Sequence, residues 1–355
     1  MSTPTFTSPR RRTVKALLIV VLSLLVAWAI VQLVGQIDWA AVVDATRKLH
    51  WWQVPILLVV LFVRQVLNAS PLAIFIRGLG VFRAVINDQT AILLSMIAPP
   101  PSDLVMRIAM FRSWGIESSR GLAGAVMNTV AFYVTRFAVP ILGFVLILPH
   151  RFDIAYACVA LVSGLLALLI LVGLLAVMAR EELAARAGVL AGQTVRRVRA
   201  SVDPDAWAAS TVRFRWHVVG KIRAGLPRAL LVLVLMVLCD ALLLTLALRF
   251  VGVSASAVPV IEIFAIFLVA YPLTLLPISG LGVLDAVILA ALVEVGGLQV
   301  EPAAVAGLIV WRVVTVLTPL AMGVASIAFW RSRPGHQELA ESHPSDVVSD
   351  DPAKD

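Results

Sequence analysis

Apolar residues run in blocks along this chain, and six of the blocks are long enough to be membrane helices. They fall at about 14–34, 53–76, 119–148, 154–178, 226–250 and 303–330, each at or above the ~20 residues that cross a ~30 Å hydrocarbon core. Two other apolar stretches, 84–115 and 257–297, are interrupted. The first has two limbs of about a dozen residues joined at Pro99, Pro100 and Pro101. At 1.5 Å per residue, such a limb covers only ~18 Å. The second contains YPLTLLPISGLGVLD at 271–285. Pro272 and Pro277 each lack an N–H and clash with the preceding turn. Gly280 and Gly282 permit backbone that other residues avoid. Irregular backbone at membrane depth is tolerated only where protein or a water-filled cavity surrounds it. The pattern therefore predicts two re-entrant hairpins, with Ser102 and Ser279 beside their tips. A plain extramembrane loop is the alternative for 271–285.

Composition agrees with the pattern. Of 355 residues, 61% are hydrophobic and 14% are charged, against roughly 25% charged in soluble domains. A β-barrel would instead show short alternating segments. The predicted fold is an all-α polytopic membrane protein, with about six full spans plus the two hairpins, eight or so membrane segments in all. The domain reading is a tail at 1–13, one transmembrane domain at 14–330 with a hydrophilic loop at 179–225, and a polar tail at 331–355. The first block has no small-residue cleavage site after it and reads as a span, not a removed signal peptide.

Charge fixes the expected orientation. Positive residues cluster before 14, at 77–83, within 179–225 and at Arg331 and Arg333, and the positive-inside rule places all four on the cytoplasmic side. Stretch 84–115 must then enter and leave from the inside, and 257–297 from the outside. The hairpins so oriented, each flanked by two spans, form an inverted repeat, as in many secondary transporters. The expected location is the plasma membrane, with both termini cytoplasmic. The net charge of +8 follows this topology and does not point to nucleic acid. The loop at 179–225 is expected to lie on anionic lipid.

Charged residues inside the apolar blocks are the candidate chemistry. Arg64, Arg136 and Arg312 sit well within spans; Asp103, Arg107, Asp240 and Asp285 sit in hairpins or a span. A mid-membrane charge costs roughly 2.5–3.5 kcal/mol on insertion scales, so it faces a bundle interior and marks either a function or a structural ion pair. Asp103 and Arg107 are four apart and would share a helix face, although Ser102 and Asp103 also read as a helix start. Arg312 lies about nine residues into the last span, ~13 Å along its axis. It could pair with Asp285 or Asp240, or face a cavity and hold a phosphate with its planar fork; the second role is the expectation. The second limb of each hairpin starts at the buried tip, where its free N–H groups favour anions. Cys158 and Cys239 lie in apolar runs, and all five histidines lie near span ends or in loops. No metal site, no cofactor and no enzyme activity is expected.

The motifs resemble a known family. LPISGLGVLDAVILAALVEVG followed by AAVAGLIVWRVVTVLTPLAMG is similar to the end of the lysylphosphatidylglycerol synthase transmembrane-region family, the flippase-like domain. The resemblance rests on Gly280 to Val283 and Asp285, then Trp311, Arg312, Thr315 and Pro319, and on Pro101, Asp103 and Arg107 in the first hairpin. The chain departs from the family pattern at Ser102–Asp103, at Asn128 and Thr129 where an acid–arginine pair is common, and in having Asp rather than Glu at 285. Bifunctional members continue into an aminoacyl-transferase domain; only 25 residues follow Trp330, so the expectation is a member without it. The resemblance implies a translocase for an anionic lipid or lipid-linked headgroup. A small-solute secondary transporter and a non-transporting scaffold for envelope-synthesis enzymes are the alternatives. Membrane lipids, and such enzymes, are the expected partners; the sequence leaves the oligomeric state open.

Overall fold

The structure is a computed structural model that describes residues 39–98, 102–150, 152–179, 182 and 204–332. The tail at 1–13, the span at 14–34, the tip prolines Pro99, Pro100 and Pro101, most of the loop before 204 and the tail after 332 lie outside the described residues. Ten α-helices carry the described fold: α1 Trp39–Arg47, α2 Gln53–Phe75, α3 Gly80–Ile97, α4 Ser102–Ser113, α5 Ser118–Ile147, α6 Ile154–Ala179, α7 Pro204–Phe250, α8 Val260–Ala270, α9 Val283–Gly296 and α10 Glu301–Arg331. No strand occurs among the described residues.

Five helices are long and apolar enough to cross a membrane, at Gln53–Phe75, Ser118–Ile147, Ile154–Ala176, Gly225–Phe250 and Leu298–Arg331. They fall on five of the six blocks seen in the sequence, and the sixth is outside the described residues. Each lies on an apolar run where a helix lets nearly all backbone groups bond internally; Pro71, Pro140, Pro227 and Pro319 each remove one donor, one in each of four of them. Two differences stand out. Helix α7 does not begin with its apolar block: residues 204–224, part of the hydrophilic segment, are helical and continuous with the span. Helix α3 is 18 residues long, not a dozen. Positive φ at Gly78 and Gly80 lets the chain turn early, and Arg83 lies 5.8 Å over the Trp114 ring, which anchors the first turn.

The predicted interruption at 271–285 is present. A 3-10 turn at Tyr271–Leu275 and a single helical turn at Pro277–Gly280 separate α8 from α9. Ser279, Gly280 and Gly282 have φ of 54°, 74° and 85°. At Gly280 a Cβ would stand 2.6 Å from the Leu273 carbonyl oxygen, so only glycine fits the turn.

Helix packing exchanges partners between the two halves of the chain. Helix α2 packs along α7, α3 along α10, and α8 along α5. Glycines set two of these approaches: Gly323 of α10 lies against Leu93 and the Gln89 carbonyl of α3, and Gly143 of α5 against Ala265 and Leu268 of α8. One core runs through Leu61, Met127, Met236, Phe267, Leu284 and Leu308. A second, around Leu72, Ile76, Phe111 and Ile116, binds the base of the α3–α4 hairpin to α2 and α5. Helix α6 packs on α5 and leaves Leu161, Leu165 and Leu169 exposed, a side that suits lipid.

Candidate functional site

A cavity of about 810 Å³ lies at the centre of this packing, within the ~300–1,000 Å³ usual for small-molecule sites. Helix α2 turns Arg64, Gln65 and Asn68 toward it, α5 turns Asn128, Thr129, Tyr133 and Arg136, and α10 turns Trp311, Arg312 and Thr315. The first hairpin contributes Asp88 and Arg107; Asp240, Tyr271 and Ser279 complete the polar wall. The α5 and α10 positions repeat at helical spacing, so one face of each is devoted to the cavity.

Three of the four arginines are matched by a carboxylate. Arg64 donates from Nε and Nη2 to Asp240 Oδ2 at 3.0 and 2.9 Å, and from Nη1 to Gln65 Oε1 at 2.7 Å. Arg107 Nη2 donates to Asp88 Oδ1 at 2.8 Å and Nη1 to Asn87 Oδ1 at 3.0 Å. The second Asp88 oxygen accepts from Asn68 Nδ2 at 2.5 Å. Arg312 Nε donates to Asp285 Oδ1 at 2.7 Å, and its terminal nitrogens face the Ser279 carbonyl at 3.4 and 3.5 Å. Asp285 also accepts from the Gly282 N–H at 2.8 Å, which caps α9. The left-handed turn thus aims a carbonyl and a carboxylate at one guanidinium, with the carboxylate held by the Gly282 N–H; the guanidinium lies 4.5 Å over the Trp311 ring.

Arg136 is different. Its guanidinium lies 5.8 Å from the Tyr133 ring centre, its Nε is buried without a hydrogen-bond partner, and it makes no ion pair among the described residues. Three further buried atoms on the cavity wall also lack partners: Gln65 Nε2, Asn128 Oδ1 and Trp311 Nε1. Each such atom costs about 1–3 kcal/mol when left unpaired, so the four on this wall suit a polar ligand or solvent; further buried atoms without partners, on Gln89, Thr90, Ser102 and Thr135, lie off it.

The chain matches the family described as lysylphosphatidylglycerol synthase TM region over residues 15–323. It belongs to that family. No curated protein matches it. Membership makes the chain a membrane protein of the TM-region family, as the five spans require, and bears out the resemblance read from the hairpin motifs.

Within this TM region, the sequence candidates divide. Arg64, Arg107, Arg136, Asp240, Arg312 and Ser279 line the cavity, and Asp285 sits behind Arg312. Asp103 does not line it and has no ion pair among the described residues; it lies in the first turn of α4. Arg107 pairs with Asp88 across the hairpin, where Asn68 also holds Asp88, and not with Asp103 on its own helix. Nor does Arg312 choose between its two proposed roles: it pairs with Asp285 and still lines the cavity. Gly282 holds the α9 cap, while Gly280 shapes the turn. Ser102 Oγ is buried without a partner. Sequence reasoning missed Gln65, Asn68, Asn87 and Asp88. The run Asn87-Asp88-Gln89-Thr90, four buried polar residues inside an apolar limb, was the available signal. No group of three potential metal ligands occurs among the described residues.

Proposed function

We propose that this protein is a translocase for an anionic lipid or lipid-linked headgroup, working without chemistry of its own. The observation that carries the reading is the cavity: about 810 Å³ inside the spanning helices, with four arginines on its wall. Polar groups at such a depth are expensive and are kept where a substrate passes. Arginine is the side chain suited to phosphate oxygens, because its fork bonds two at once.

The proposed architecture is an inverted repeat with two re-entrant hairpins, α3–α4 from the cytoplasm and α8–α9 from outside, in the plasma membrane with cytoplasmic termini. The exchanged packing supports it, since α3 on α10 and α8 on α5 are equivalent contacts if the halves are related by a two-fold axis. Alternating exposure of the cavity would follow from rocking one half against the other.

Reconstitution into liposomes tests the function. Fluorescent anionic lipid should cross the bilayer faster with protein than without, and faster than a zwitterionic lipid with the same chains. Unchanged lipid crossing, with uptake of a small anionic solute instead, would favour the secondary-transporter reading.

A further inference from the structure

The charge on the cavity wall can be counted, and the count narrows the ligand. Four guanidinium groups face or border the cavity, at Arg64, Arg107, Arg136 and Arg312. Three carboxylates match three of them, at Asp240, Asp88 and Asp285. One positive charge is left over, and it belongs to Arg136. Three of the four unpaired atoms on the wall agree with this sign. Gln65 Nε2, Arg136 Nε and Trp311 Nε1 are all N–H donors, buried and without protein partners; only Asn128 Oδ1 is an acceptor.

We infer that the cavity selects a phosphodiester carrying a single net negative charge and uncharged substituents, with Arg136 supplying the unmatched positive charge. The inference rests on the translocase reading for its source, a lipid headgroup, but the charge rule stands on the cavity alone. A dianionic phosphate monoester would bring a second charge to arginines already neutralised. A zwitterionic or aminoacylated headgroup would bring an ammonium group, and the cavity has no carboxylate to receive it. Asp240 is held twice by Arg64, Asp88 by Arg107 and Asn68, and Asp285 by Arg312 and the Gly282 N–H. Uncharged hydroxyl substituents suit the remaining wall, where Thr129, Thr315 and the Asn128 acceptor stand.

The test is binding to the purified full chain, read by native mass spectrometry and by thermal stabilisation. The probes are short-chain phosphatidylglycerol, phosphatidic acid and phosphatidylethanolamine, with glycerophosphoglycerol as the headgroup without chains. Phosphatidylglycerol should bind at least about tenfold tighter than the other two lipids, and Arg136→Gln should remove that preference, as loss of a hydrogen bond to a charged group does. Arg136→Lys keeps the charge and should keep the preference. Asn128→Asp tests the same count from the other side, independently of whether Arg136→Gln folds. It brings the wall to neutrality and should lower phosphatidylglycerol binding while raising that of phosphatidylethanolamine. Equal binding of all three lipids by the wild type, or unchanged binding in both charge variants, overturns the inference. Binding of glycerophosphoglycerol as tight as that of the lipid keeps the charge rule and makes the source a free phosphodiester. Charge-selective binding without lipid crossing in liposomes would retire the translocase reading and leave this one; lipid crossing indifferent to Arg136 would do the reverse.

Discussion

Arg312 shows why a single residue's role was hard to assign from sequence. Its depth in an apolar block made it visible, as it did Arg64 and Arg136, because a charge there is costly unless something receives it. What receives it was not visible. Asp285 and Asp240 were both in range by depth, and only the left-handed turn at 279–282 puts Asp285 on Arg312 and leaves Asp240 to Arg64. Asp88 escaped notice because it stands among other polar residues near the start of its limb; in the structure it is buried. The pairing makes a prediction. Arg312→Gln strands a carboxylate and should cost about 3–5 kcal/mol, whereas exchange of both partners, with Asp285→Asn added, should recover part of it. Thermal unfolding of the two single variants and the double variant checks this; additive losses would mean that the pair contributes no coupling. Asp103 carries the opposite expectation. With no ion pair among the described residues and a place off the cavity wall, Asp103→Asn should change stability by no more than the ~1 kcal/mol of a lost helix-start interaction. Lipid binding should stay at the wild-type level.

At the scale of elements, the broken hairpin was legible because proline and glycine act locally. Pro272 and Pro277 cannot continue a helix, and the observed breaks fall at 271–282. The extent of α3 and α7 was less legible. Helix continuity through 204–224 needs no apolar pattern, and the start of α3 depends on a contact, Arg83 over Trp114, between residues far apart in sequence. The turn's geometry can be tested by comparing two glycines. Gly78 and Gly280 both have positive φ, at 89° and 74°, but a Cβ at Gly78 meets nothing within 4 Å, whereas at Gly280 it meets the Leu273 oxygen at 2.6 Å. Gly78→Ala should therefore cost only the ~1–2 kcal/mol of left-handed backbone. Gly280→Ala should cost that plus ~1–3 kcal/mol of overpacking, and should loosen Arg312 by moving the Ser279 carbonyl. Equal melting temperatures for the two variants would mean that the turn relaxes to admit the methyl group.

For the whole molecule, the question is which side each hairpin enters from. Membrane helices carry no label of direction; parity of crossings supplies one. Four positively charged regions read as inside, and only an even number of crossings can lie between any two of them. On the proposed topology the residues joining α4 to α5 are then expected on the cytoplasmic side, and those joining α9 to α10 outside. The packing is consistent with this. Trp330 at the end of α10 donates to Ser113 Oγ at the end of α4 at 3.0 Å, so the last span finishes beside the base of the first hairpin, on the side that Arg331 marks as inside. At 1.5 Å per residue, α4 with its 12 residues rises ~18 Å, too short to cross a ~30 Å core alone. Two exposed positions make the test direct. Glu117 lies between α4 and α5, and Gln299 between α9 and α10; their immediate neighbours Ile116 and Val300 are buried and would label poorly. In a background with Cys158 and Cys239 replaced, Glu117→Cys should react with a membrane-impermeant thiol reagent only after the cytoplasmic side is opened. Gln299→Cys should react in intact cells. Labelling of both from one side would exclude opposed hairpins, and with them the two-fold relation that makes α3 on α10 equivalent to α8 on α5. The cavity would then be bounded by helices with no symmetric counterpart, and alternating access would need a different moving part.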